Sequence, residues 1–83
     1  MPYSLEYTKI AVKDITKLDI IAKKRLKKKL ELLASNPLHY SKKIIHSDLG
    51  TYRYRVGDYR IIFDLEGSRI VILRVGHRRE IYR

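Results

Sequence analysis

Hydrophobic and polar positions alternate with period two over residues 3–7, where Tyr3, Leu5 and Tyr7 are set against Ser4 and Glu6, the pattern of a short strand. The period then lengthens. Ile10, Ala11, Ile15 and Leu18 fall at helical spacing after Thr8, whose hydroxyl is suited to cap a helix running through about Lys17. Asp19 repeats the signal and opens a second helix to about Ser35, with Ile21, Ala22, Leu26, Leu30 and Leu33 forming one apolar stripe. Asn36-Pro37 ends it, because the residue before a proline is pushed out of α geometry.

Residues 38–50 carry no regular period, and the pair Ile44-Ile45 is expected to pack beneath a connecting loop. Period two returns in the runs 51–56, 59–65 and 69–75, separated by Gly57-Asp58 and by Glu66-Gly67-Ser68. Connections this short make an antiparallel meander. The element order is therefore β-α-α-β-β-β, an α+β domain spanning residues 1–83 with the two N-terminal helices packed on one face of a mainly antiparallel sheet. A chain of 83 residues has room for one modest core, so a site must lie at its surface.

The alternation also sorts side chains between faces. Tyr52, Tyr54, Val56, Tyr59, Ile61 and Phe63 share the face that suits the helices, and Arg53, Arg55, Arg60 and Ile62 share the other. A tight turn at Gly57-Asp58 sets Val56 opposite Tyr59 and Arg55 opposite Arg60. Like charges across a ladder repel, and a local rule broken without local compensation points to function. The partner expected for such an arginine pair is an anion, phosphate foremost. The following strand is expected to place Val71, Leu73 and Val75 on this arginine side, and the closing residues 76–82 to bring His77, Arg78 and Tyr82 to it. A tyrosine beside guanidinium groups has a stabilised phenolate and moves toward use as a base.

Charge changes the picture further. Nineteen Lys+Arg against nine Asp+Glu give a formal net charge of +10, which predicts attraction to nucleic acid, an anionic membrane or an acidic protein. Lys23, Lys24, Arg25, Lys27, Lys28 and Lys29 crowd the polar face of the second helix, either as a solvated face or as an electrostatic collar for a polyanion. Interleaved arginine and tyrosine favour nucleic acid over a membrane, and Lys23, Lys27, Lys42 and Lys43 are candidate RNA-binding residues beside Arg53 and Arg55. The absence of cysteine excludes disulfides, thiolate chemistry and cysteine zinc sites. Without a signal-peptide pattern at the start or a run near the ~20 apolar residues of a membrane span, the chain is expected to be soluble and cytoplasmic.

Within this element order, the run Leu49-Gly50-Thr51-Tyr52-Arg53-Tyr54-Arg55-Val56-Gly57-Asp58-Tyr59-Arg60-Ile61-Ile62-Phe63 and the closing Val75-Gly76-His77-Arg78-Arg79-Glu80-Ile81-Tyr82 resemble the RelE branch of the RelE/ParE toxin superfamily. The resemblance covers the whole chain. It implies the toxin of a type II toxin–antitoxin pair, a ribosome-dependent endoribonuclease that cuts messenger RNA and is silenced by an acidic cognate antitoxin. It also implies that Arg53 and Arg55 bind the scissile phosphate, that Arg60 and Arg78 stabilise the developing charge, and that Tyr82 is the general base, with no metal or cofactor. The best-known relative has lysines where Arg53 and Arg55 stand, and a guanidinium is a poor proton donor, so the general acid is left open. His77 is a candidate because an imidazole ordinarily titrates near neutrality. Two other readings remain: a ParE-like toxin that inhibits DNA gyrase without cutting RNA, and a non-catalytic RNA- or DNA-binding module. Arg78 and Tyr82 weigh against the first.

Overall fold

A computed structural model describes residues 3–43, 52–77 and 79. Along the chain lie β1 (Ser4–Tyr7), α1 (Lys9–Thr16), α2 (Ile20–Ser35), α3 (Pro37–Tyr40), β2 (Lys42–Lys43), β3 (Tyr52–Val56), β4 (Tyr59–Glu66) and β5 (Arg69–His77). Both caps read from the sequence are formed. The Thr8 hydroxyl accepts from the Ala11 N–H at 3.0 Å and donates to the Leu73 carbonyl at 3.1 Å, so one side chain starts α1 and fastens it to β5. Asp19 Oδ1 accepts from the Ala22 N–H at 2.8 Å at the start of α2.

Two elements lie beyond what the sequence pattern predicts. Proline is suited to the first position of a helix, where its missing N–H costs nothing, and Pro37 opens the single turn α3. The chain then runs straight into β2, a two-residue strand on the outer edge of the sheet. The expected burial of Ile44-Ile45 concerns positions outside the described residues.

The sheet order is β1-β5-β4-β3-β2, with β1 parallel to β5 and the other pairings antiparallel. The β3–β4 hairpin has the register expected of it, Val56 opposite Tyr59 and Arg55 opposite Arg60, and Gly57 takes the left-handed φ of +60° that this turn requires. On the helix side, Ala11, Leu26, Leu30, Leu33 and Ala34 close over Tyr54, Val56, Ile61, Phe63, Ile70, Ile72 and Val75. Full burial of a Leu, Ile or Phe side chain stabilises by about 1.5–3 kcal/mol, and this layer is what fixes the hairpin's orientation. Among the described residues, no helix is long and apolar enough to cross a membrane.

One face assignment fails. Val75, expected on the arginine side, belongs to the helix-side core at 1% exposure. The cause is a bulge: Ile62 pairs with Arg74 and Phe63 with Ile72, so Leu73 is an extra residue that reverses the alternation beyond it. Asp14 of α1 holds the irregularity in place. Its Oδ2 accepts from Arg74 Nε at 2.8 Å and from the Val75 N–H at 3.0 Å, and its Oδ1 accepts from Arg74 Nη2 at 3.4 Å.

Candidate active site

The two-residue β2 places Lys42 opposite Arg53 across an antiparallel pair, so both side chains leave the same face of the sheet. Arg55, two residues along β3, shares that face. Together with Tyr40 from the end of α3, these three cations line a recess of about 200 Å³ at the sheet edge. Lys42, Arg53 and Arg55 are all exposed. Among the described residues, no carboxylate lies within ion-pair distance of any of them. Three like charges converging in this way form a site that an anion relieves.

Arg60 behaves differently from its register partner. It lies on the same face but is only 5% exposed, and its Nη1 donates to the Gly57 carbonyl at 3.3 Å and the Tyr59 carbonyl at 3.2 Å. Ile62, on the same face of β4, is fully buried. The expected set of three arginines projecting together is therefore corrected: Arg53 and Arg55 project, and Arg60 is folded back against its own turn. Hydrogen bonds to two backbone carbonyls are a local answer to the like-charge pairing, available because a tight turn directs carbonyls outward at that point.

Gly76 stands opposite Arg60 on β5 and His77 opposite Tyr59. His77 thus shares the helix-side face with Tyr59, whose ring meets it edge-on with centroids 5.9 Å apart. It borders a cavity of about 390 Å³ with Asp14, Lys17, Leu18 and Asp19, and its Nδ1 accepts from the Arg79 N–H at 3.2 Å. The sheet separates it from Arg53 and Arg55. Lys23 and Lys27 also lie elsewhere, bordering an apolar groove with Leu5, Tyr7, Val12 and Ile15 beside β1, at the sheet edge opposite β2. Lys43 is out of phase with Lys42 and pairs with Tyr52. Arg78 and Tyr82 lie outside the described residues. Among the described residues, no group of three His, Cys, Asp or Glu side chains is arranged to hold a metal ion.

The family described as ParE toxin of type II toxin–antitoxin system, parDE, matches residues 5–82. The chain belongs to the RelE/ParE toxin superfamily. Toxin RelG of Mycobacterium tuberculosis is 36% identical over an alignment of 89 residues that covers 100% of this chain and 99% of that protein. Toxin RelE3 of Methanocaldococcus jannaschii is 35% identical over 80 residues, covering 92% of this chain and 91% of that one. A solved toxin–antitoxin complex, RelBE2 from Mycobacterium tuberculosis, superposes with a TM-score of 0.84 at 30% identity, covering 94% of this chain and 100% of the solved chain. These relatives place the toxin on the RelE branch.

In this RelE-type toxin the residue that sequence reasoning misses is Tyr40. Its ring stands edge-on to His39 with centroids 4.7 Å apart and leans toward Tyr54 at 6.3 Å, forming the aromatic wall of the cationic recess. No single period signals it: Tyr40 closes the helical turn α3 while Lys42 opens β2, and nothing in the pattern of residues 38–50 marks a strand. Burial, and secondarily the neighbouring Tyr40 phenol, push the Tyr54 hydroxyl above the usual tyrosine pKa of 10.0, so Tyr54 is held protonated. Burial raises Tyr7 in the same direction.

Proposed function

We propose that this RelE-type toxin is a ribosome-dependent endoribonuclease that cuts messenger RNA without a metal and so inhibits translation. The observation that carries the reading is the trio Lys42, Arg53 and Arg55 on one face of the sheet, with no carboxylate paired to it among the described residues. Two strands across the sheet from Arg55, in line with Arg60, stands Gly76, two residues before Arg78 in the sequence. Arg53 and Arg55 hold the scissile phosphate through forked guanidinium donors, and Arg78 stabilises the charge growing on its non-bridging oxygens. Arg60, nearly buried, adds its charge from beneath and holds the hairpin that carries Arg55. Tyr82, as phenolate, takes the proton of the ribose 2′-OH, and the 2′-oxygen attacks the adjacent phosphorus. The products are a 2′,3′-cyclic phosphate and a free 5′-OH.

A toxin of this kind needs restraint in the cytoplasm where it acts. Its partner is a cognate antitoxin with an acidic segment that answers the formal +10 of the chain, as the toxin of the solved RelBE2 complex is bound by an antitoxin. The ParE description of the matching family favours one competitor, inhibition of DNA gyrase without RNA cleavage. Mapping RNA 5′ ends after brief expression separates the two. Cuts confined to translated messages, lost in Tyr82→Phe and Arg78→Ala, are the expected result. Growth inhibition that persists in both variants, with supercoiling altered and message intact, would establish the gyrase reading instead.

A further inference from the structure

Cleavage as proposed needs a proton for the departing 5′-oxygen, and Arg53 and Arg55 are poorly fitted to give one. A guanidinium ordinarily holds its proton beyond about pH 12, whereas an ammonium releases it near about pH 10.4, making the ammonium the stronger acid by roughly a hundredfold or more. Within the recess of Tyr40, Lys42, Arg53 and Arg55, Lys42 is the ammonium. It faces Arg53 across the β2–β3 pair and shares its side of the sheet. It lies two strands, about 10 Å, from the line of Arg60, a gap that a four-carbon stem and one phosphate group can span. Among the described residues, the rival donors fit less well. His77 lies on the helix side against Tyr59, Lys43 is out of phase with the recess, and the Tyr40 phenol, though it lines the recess, brings no positive charge to meet the charge growing on O5′.

We propose that Lys42 is the general acid of this toxin, an assignment that rests on the ribonuclease reading above. As the 2′-oxygen bonds to phosphorus and the P–O5′ bond breaks, the electron pair of that bond stays on O5′, which takes a proton from Lys42 Nζ. The 2′-OH proton has gone to Tyr82, and exchange of both side chains with water restores the starting state. An ammonium has three N–H donors, so Lys42 keeps a contact to the phosphate while it transfers one proton. The arginines and the lysine therefore have separate roles, the arginines holding the anion and the lysine completing bond cleavage.

The test uses the full toxin on ribosomes programmed with two messages, one natural and one carrying sulfur in place of the bridging 5′-oxygen at the cut. A thiolate leaves without being protonated, so the sulfur message does not need the acid. Lys42→Ala, at an exposed edge position outside the core, is expected to slow cleavage of the natural message by ~10²–10⁴-fold and that of the sulfur message far less, by the loss of its phosphate contact alone. Lys42→Arg, which keeps the charge, is expected to show the same split. Equal losses on both messages would make Lys42 a phosphate ligand only, and no loss on either would remove it from the reaction; both overturn the assignment. An oxygen-specific loss in Tyr40→Phe with none in Lys42→Ala would transfer the role to Tyr40. A wild-type toxin that cuts neither message overturns the ribonuclease reading and the acid with it.

Discussion

Arg55 and Arg60 are register partners across the Gly57-Asp58 turn, yet one is exposed and the other is 5% exposed with its Nη1 on the carbonyls of Gly57 and Tyr59. A pairing that looks like two equal charges is in fact one exposed group and one brace. The brace turns a repulsion into an orientation, because Arg60 cannot swing out to meet Arg55 without abandoning both carbonyls.

Different consequences follow for the two positions. Arg60→Ala is expected to lower unfolding stability by about 1–3 kcal/mol, the cost of hydrogen bonds lost at a buried group. Arg55→Ala should leave urea midpoints unchanged or slightly raised, since it removes a like charge across the ladder, while lowering message cleavage by ~10²–10³-fold. Paired urea titrations and cleavage assays distinguish them; equal destabilisation by both would mean that the asymmetry has no energetic content.

The Asp14 carboxylate leads to a second prediction. It ties α1 to the β5 bulge through Arg74 and the Val75 N–H, and it is charged, so its hydrogen bonds belong to the stronger class. Asp14→Ala should cost about 1.5–3 kcal/mol, and hydrogen exchange should show the Val75 amide losing more protection than the amides of Ile70 or Ile72. Uniform loss along β5 would show that the carboxylate stabilises the whole strand rather than the bulge.

A third prediction concerns alkaline pH. Folding raises the Tyr54 phenol above its ordinary value of 10.0, mainly by burial, so the unfolded chain releases that proton first. Stability from Tyr54 is therefore complete below the ordinary tyrosine pKa and is lost as pH climbs through and beyond it. Denaturant midpoints measured from pH 8 upward should fall above about pH 10, and the fall should be shallower in Tyr54→Phe. Parallel curves for the two proteins would place the alkaline sensitivity elsewhere.

Much of this fold is legible in the sequence because local signals and tertiary packing agree. Thr8 and Asp19 cap their helices, Pro37 marks the end of α2, and Gly57 sets the hairpin register with each partner as read. What escapes has physical reasons. The reversal at Val75 comes from Leu73, an extra residue beside positions bonded to a carboxylate about sixty positions earlier, and period-two reasoning carries no memory of such distance. Strand β2 is two residues long and exists because β3 offers an edge, not because Lys42 and Lys43 favour extended chain. The candidate site suffers most from that omission, since Lys42 and Tyr40 meet Arg53 and Arg55 only once that edge is filled. His77 draws attention as an imidazole beside Arg78 in the sequence, and its register opposite Tyr59 sends it to the other side of the sheet.

The parallel pairing of β1 with β5 joins Ser4 to Arg69 and Tyr7 to Ile72. Synthesis runs from one of these strands to the other, so β1 and the helix α1, which packs on β5, must wait for a partner made later. A chain halted before Arg69 has no strand to connect β1 with β4 and lacks Ile70, Ile72 and Val75 from the core. Translation products ended before Arg69 thus cannot complete the five-stranded sheet, because the strand that joins β1 to β4 is the one they lack.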